Sequence, residues 1–98
     1  DLEPKVLLQQ HPELRETLMK ELRYLFQVVA KANQGQVDPQ IPAYLETVLR
    51  RVRPMAEHSS GIKEIYRIGV LCYQAIGAKD PQAFVRTQQW VQKFASVF

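Results

Sequence analysis

Apolar residues recur every three or four positions along most of this chain, with polar residues between them. This spacing places apolar side chains on one face of an α-helix, whereas a half-buried strand would alternate at every second position. Short breaks containing His-Pro, Asp-Pro or Ser-Gly divide the pattern into segments. The pattern therefore predicts an all-α protein, an antiparallel up-and-down bundle of four main helices at about residues 12–33, 41–57, 61–77 and 80–97.

Prolines mark the predicted limits of the first two main helices. Pro12 suits the first turn of a helix, where its missing N–H has no helical partner to lose, and Gly35 favours an end near Asn33. Pro54 falls inside the second helix, where a proline removes one backbone bond and clashes with the preceding turn. We therefore expect that helix to kink or end near Arg53. The apolar stripe of the first helix comprises Leu14, Leu18, Leu22, Leu25, Val29 and Ala32.

The third main helix is apolar on most of its sides, which is typical of a central helix. Ser60 is its expected N-cap and Gly77 its expected C-cap. Asp80-Pro81 then combines a capping side chain with a proline for the start of the last helix. Residues 1–10 form a leader or a short fifth helix. The main stripe of the third helix comprises Ile62, Ile65, Tyr66, Gly69, Cys72, Tyr73 and Ile76.

Length and composition describe one ordinary domain covering residues 1–98, since 46% of the 98 residues are hydrophobic and 23% are charged. No apolar run approaches the roughly 18 to 20 residues of a membrane span. The single cysteine excludes an intrachain disulfide framework and fits a reducing compartment, so we expect a cytoplasmic protein. Because it starts at Asp1 without a methionine, we expect a trimmed or processed form, or part of a longer protein.

Motifs for catalysis are missing from the sequence, which has no Gly-rich phosphate loop, no His-Glu-x-x-His pair and no Cys-x-x-Cys. Cys72 lies within an apolar stripe, where burial would raise the pKa of its thiol. His11 and His58 lie in breaks and are expected to face solvent, without the further ligand that a shared metal site needs. We therefore expect no enzymatic activity, no cofactor and no metal.

Arg50, Arg51 and Arg53 form the strongest local concentration of charge. Three permanent cations near a kink could hold the phosphates of a nucleic acid. Alternatively, they form a solvated helix end, where cations meet the negative pole of the helix dipole. The formal net charge of +3 is modest for a nucleic-acid-binding protein, so this function is kept as the alternative.

Trp90, Phe94 and Phe98 form an aromatic group near the carboxyl end of the chain. Either they close the bundle, or they leave an apolar patch that binds a partner. We take them as the candidate partner-binding residues. Surplus apolar residues beside the main stripe of the first helix also favour association, so another protein, in a homo- or hetero-oligomer, is the preferred partner.

Three features resemble the small enterocin-A-type bacteriocin immunity proteins: the segment His11-Pro12-Glu13-Leu14-Arg15-Glu16-Thr17-Leu18, the break from Gly35 to Pro42, and the helix from Ile41 to Arg53 that leads on to Lys63-Glu64-Ile65-Tyr66. The resemblance covers about residues 5–75. It implies a cytoplasmic antiparallel four-helix bundle that protects a producing cell from its own pore-forming peptide without an enzymatic step. We therefore expect a non-enzymatic interaction or regulatory module, with immunity as its most concrete form.

Overall fold

Five α-helices and one short 3-10 helix make up the regular structure in the computed structural model, which describes all 98 residues and contains no strand. The all-α prediction and the short fifth helix are both confirmed. The elements are α1 (Pro4–Gln9), α2 (Pro12–Asn33), α3 (Ile41–Val52), the 3-10 helix η1 (Arg53–Glu57), α4 (Ser60–Gly77) and α5 (Ala83–Ala95).

The four long helices form a ring around one core. α2 packs against α3 and α5, and α4 packs against the same two helices, so α2 and α4 lie diagonally across the bundle. Short connections make neighbours in the ring antiparallel. The radius of gyration, 13.0 Å, is that of a compact domain of this length. The largest fully buried side chains are Leu8, Leu18, Leu22, Leu25, Val29, Ile41, Leu45, Val48, Val52, Ile62, Val91 and Phe94.

The amino-terminal segment is fixed to the start of α4 as well as to the core. Leu7 and Leu8 of α1 are buried. The carboxylate of Asp1 accepts hydrogen bonds from the backbone N–H of Ser60 at 2.7 Å and from its hydroxyl at 2.8 Å. The first of these bonds satisfies a backbone donor at the start of α4 that has no partner within the helix.

The break around Pro54 takes the form of a helix end. α3 stops at Val52, and the chain continues through the 3-10 turn η1, in which Pro54 is accommodated near the start. The next helix is capped one residue earlier than the sequence pattern predicts. The cap is Ser59, which is buried, and its hydroxyl accepts a hydrogen bond from Ile62 N at 3.3 Å.

The connection between α4 and α5 differs from its prediction at both ends. The residue that adopts the left-handed conformation is Lys79, with φ +56°, rather than Gly77, which is the last residue of α4. Asp80 Oδ1 accepts a hydrogen bond from Gln82 N at 2.8 Å, so Asp80 organises a turn. α5 consequently begins at Ala83 instead of residue 80.

The central position predicted for the third main helix, α4, is wrong. Its only buried residues are Ile62, Gly69 and Cys72, whereas α2 buries twice that number. A ring of four helices gives each one solvent-facing side, and the apolar residues of α4 extend beyond the strip that faces the core. Leu71 is 51% exposed as a result. No helix of the bundle combines the length and the hydropathy of a membrane span.

Candidate functional site

The three clustered arginines point to different parts of the molecule. Arg50 pairs with Glu46 on its own helix at 2.5 Å, whereas Arg51 reaches across to Glu21 on α2. Arg53 lines a shallow polar depression beside the start of α4 and takes part in no ion pair. Their proximity in sequence therefore does not create one surface of three free cations.

The ion pair between Arg51 and Glu21 is partly withdrawn from water. Both carboxylate oxygens of Glu21 are inaccessible to solvent and lack a hydrogen bond of suitable geometry. The contact with Arg51 is therefore one of charge, and it compensates an anion that would otherwise be desolvated without a counter-ion. This observation gives Arg51 a structural role in joining α2 to α3.

Trp90 and Phe94 close the bundle, which is the first of the two arrangements predicted for the aromatic group. Their exposed fractions are 3% and 0%. The ring of Trp90 meets that of Phe94 at 5.6 Å and 62°, and its indole Nε1 donates a hydrogen bond to the Ile65 carbonyl at 2.9 Å. Side chains held in this way contact the core and offer almost no surface to a partner.

Phe98 is the one predicted aromatic that remains partly exposed. It stacks on Phe94 at 5.6 Å, and the guanidinium of Arg15 lies 5.8 Å from its ring centre. It also lines an open depression of about 260 Å³ between two helices, here called the α2/α5 groove. The residues of this groove are Met19, Leu22, Arg23, Phe26, Val91, Gln92, Ala95 and Phe98.

A second groove runs along the opposite flank of α5, where α5 meets α4. Two depressions of about 300 and 260 Å³ have Ile68, Trp90 and Lys93 as common lining residues, so they lie side by side along this flank. Leu71 is its most exposed apolar side chain, while Trp90 forms its floor. We call this channel the α4/α5 groove; its central part is lined by Ile68, Leu71, Cys72, Arg86, Gln89, Trp90 and Lys93.

The two walls of the α4/α5 groove differ in chemistry. The α4 wall is apolar, with Ile68 and Leu71 beside the buried strip of that helix. The α5 wall is polar and basic, with Arg86, Gln89 and Lys93 at spacings of three and four, which aligns them along one edge of the helix. The result is an apolar channel with a cationic rim.

The ion pairs around this rim leave it with a net positive charge. Arg86 Nη1 lies 3.6 Å from Asp80 Oδ2. The other carboxylate oxygen of Asp80 accepts the hydrogen bond from Gln82 N in the turn before α5. Glu64, which lines the same channel as Lys93, is engaged by Arg67 through bonds of 2.6 and 3.0 Å, and this hydrogen bonding lowers the pKa of the Glu64 carboxyl. Lys93 has no ion-pair partner within 4 Å, although its charge also helps to lower the pKa of Glu64.

Residues with catalytic or metal-binding potential are scattered. Cys72 is 5% exposed, and burial raises the pKa of its thiol, which confirms the inference from its place in the stripe. His11 and His58 are exposed, as predicted. No group of three or more His, Cys, Asp and Glu side chains is assembled for a metal ion.

A hydrogen-bonded pair of tyrosines links α2 to α3 at another corner. Tyr24 donates to the Tyr44 hydroxyl at 3.4 Å, and Tyr44 donates to Asp38 Oδ2 at 3.3 Å. The rings meet nearly edge to face, with centres 5.1 Å apart. The bond with Tyr24, partial desolvation and the Asp38 charge together raise the pKa of Tyr44 to about 12.

Sequence reasoning missed the α4/α5 groove, although one signal for it was present. Ile68, Leu71 and Ala75 add apolar surface beside the main stripe of α4, and the sequence pattern alone favours a central position for such a helix. In a ring of four helices these residues instead flank the core strip and come to lie at the edge of the neighbouring helix. The three basic or polar residues of the α5 wall carry no recognisable motif.

Comparison with protein-family models, with curated proteins and with solved structures finds no match. The case for a function therefore rests on the geometry of this chain. The resemblance to bacteriocin immunity proteins stays a prediction.

Proposed function

We propose that this chain is a non-enzymatic protein-interaction module that binds a partner protein through the α4/α5 groove. One observation carries the proposal: α4 has only three charged residues among its 18, yet it also buries only three. On one flank of this helix, Leu71 is 51% exposed and the neighbouring Ile68 is only half-buried, and both line the channel that α4 forms with α5.

Exposed apolar residues that adjoin one another differ from exposed apolar residues that are isolated. Single exposed hydrophobic residues are normal on a soluble protein and need no partner. Val37, 54% exposed in the connection between α2 and α3, is of this kind. Leu71 is as exposed, but it adjoins the half-buried Ile68 in the same groove, so one partner side chain could cover both apolar groups together. Such burial contributes about 25 cal/mol per Å².

The nucleic-acid alternative has less support. Two of its three arginines are engaged by Glu46 and Glu21, and the third lies in a depression that also contains the carboxylates of Asp1 and Glu57. A phosphate backbone would have to displace these anions or contact cations that point apart.

An immunity function in the cytoplasm is the most concrete form of this proposal. Its support is the sequence resemblance together with an all-helical bundle of the expected kind. If it holds, expressing this chain in a bacteriocin-sensitive strain should raise the bacteriocin concentration that stops growth. An unchanged inhibitory concentration would contradict the immunity function. The wider protein-interaction function is tested separately.

The interaction function is tested with two variants, each of which replaces an exposed apolar residue by glutamate. Both are used in affinity capture from lysate of the source cells, with nuclease present and at raised salt. Leu71→Glu places a charge in the groove, and Val37→Glu places the same charge on a comparably exposed residue outside it. We expect a bound protein that Leu71→Glu removes and Val37→Glu retains. A bound protein insensitive to both changes, or one released by nuclease, would contradict the proposal.

A further inference from the structure

We infer that the occupant of the α4/α5 groove is an amphipathic helix of another protein, with acidic residues along one edge. This inference rests on the proposed function and adds the chemistry of the partner. It follows from the asymmetry of the channel, which has an apolar α4 wall and a basic α5 wall.

The shape of the site favours a helix over other segments. The channel lies between two packed helices and continues from Leu71 toward Val97 along the length of α5. A helix placed in such a groove presents apolar side chains at every third or fourth residue to its floor. Ile68 and Leu71 provide most of the apolar surface on which those side chains would rest, with the largely buried indole of Trp90 beneath them.

The charge of the rim determines which helix fits. Arg86 and Lys93 are seven residues apart, so they lie about 10 Å apart along the α5 axis and on the same side of it. A partner helix lying alongside can match them with two carboxylates that are also seven residues apart. Lys93 has no ion-pair partner within 4 Å, and the Glu64 carboxylate on which its charge acts is already hydrogen-bonded to Arg67, so Lys93 can pair with a carboxylate of the partner.

The same charges disfavour a second copy of this chain as the occupant. The formal net charge is +3, so two copies repel each other at long range. A second copy would also need an acidic, amphipathic helix to offer. The most acidic stretch of α2, from Glu13 to Glu21, has three carboxylates interleaved with Arg15 and Lys20.

The test uses designed 15-residue peptides without tyrosine or tryptophan, so that the single tryptophan, Trp90, reports on the groove by its fluorescence. One peptide has leucines on one face and a pair of glutamates seven residues apart beside them. Its matched control has lysines in place of the glutamates. We expect the glutamate peptide to bind at least about tenfold more tightly at low salt, and the difference to shrink as salt rises from about 0.05 to 0.5 M.

Variants locate the binding. Arg86→Gln with Lys93→Gln should reduce the preference for glutamate to about twofold or less, because each exposed ion pair contributes only a few-fold. Arg50→Gln with Lys31→Gln removes the same charges elsewhere on the surface and should leave the preference unchanged. Leu71→Glu should weaken binding of the glutamate peptide. Circular dichroism checks that each variant keeps its helices.

Three outcomes would overturn the acidic-helix inference. The first is equal binding of the two peptides, and the second is a preference that survives the loss of Arg86 and Lys93. The third is binding to vesicles of anionic lipid, dependent on those two residues, without any preference between the peptides. If neither peptide binds while Leu71→Glu still removes a captured protein, the inference fails and the interaction function stands. If Leu71→Glu removes nothing, the interaction function itself fails.

Discussion

The indole ring of Trp90 occupies the space beside Gly69 where any other residue would place its Cβ. A Cβ built on Gly69 would lie 2.7 Å from Trp90 Cζ2 and 2.6 Å from Leu49 Cδ2. The absence of a side chain at Gly69 thus lets α3, α4 and α5 meet at one point. Trp90 is also fixed there by its hydrogen bond to the Ile65 carbonyl, so it cannot move aside easily.

Replacing Gly69 by alanine should therefore destabilise the fold. We expect a loss of about 1 to 3 kcal/mol in the free energy of unfolding, because overpacking at this contact exceeds the gain in helix propensity. Gly77→Ala is the matched control in the same helix, since nothing lies within 4 Å of its Cβ position. It should stabilise by up to about 1 kcal/mol. Urea unfolding measures both changes, and equal stabilities would contradict the packing argument.

The contact between Trp90 and Gly69 shows why the helices could be predicted from the sequence, whereas the packing around the site could not. The spacing of apolar residues and the positions of Pro12 and Pro54 depend on local backbone chemistry, so they predict the limits of α2 and the end of α3. The burial of Trp90 depends on the missing side chain of Gly69, a residue 21 positions earlier. Periodicity places Trp90 near a stripe but does not show which space is left for it.

The α4/α5 groove could not be predicted from the sequence for a related reason. Leu71 and Lys93 are brought to one channel by the packing of two helices, and neither belongs to a motif. An apolar helix can be central or can carry an uncovered flank, and sequence alone does not distinguish these two arrangements. Only the ring of contacts, with α4 diagonal to α2, resolves the choice.

Loss of Arg51 should affect stability more than loss of its neighbour. Arg51→Gln leaves the Glu21 carboxylate desolvated without a counter-ion, and we expect it to destabilise by about 1 to 3 kcal/mol. Arg50 is 78% exposed and pairs only within its helix, so Arg50→Gln should change stability by less than about 0.5 kcal/mol.

The double variant with Glu21→Gln and Arg51→Gln provides the control for this pair. Removing the carboxylate together with its cation should recover much of the stability, which a double-mutant cycle in urea would detect. Equal effects of the two single arginine changes would show that Glu21 does not depend on Arg51.

Tyr44 should ionise at a higher pH than an ordinary tyrosine, with a pKa of about 12. Its pKa in the unfolded chain is near 10. Because the folded state favours the neutral form, this group contributes stability that is complete below about pH 10 and is lost as the pH rises toward 12. Spectrophotometric titration of tyrosinate absorbance should show a transition near pH 12 that belongs to Tyr44.

Interaction with Tyr24 is the main cause of the raised pKa of Tyr44, so Tyr24→Phe should move that transition toward pH 10. Tyr73 lies outside this hydrogen-bonded group, and Tyr73→Phe should leave the late transition in place. A late transition unaffected by Tyr24→Phe would disprove the assignment.

Site-specific photo-crosslinking inside the source cells would locate the docking surface without any assumption about the partner. Gln89 lines the α4/α5 groove and Gln92 lines the α2/α5 groove, so two exposed residues of the same type, on one helix, face opposite flanks. With a benzophenone side chain at either position, we predict that residue 89 crosslinks a partner protein and residue 92 does not. A crosslink from residue 92 alone would show that the partner binds at the α2/α5 groove, which contains Phe98. That result would contradict the function proposed for the α4/α5 groove.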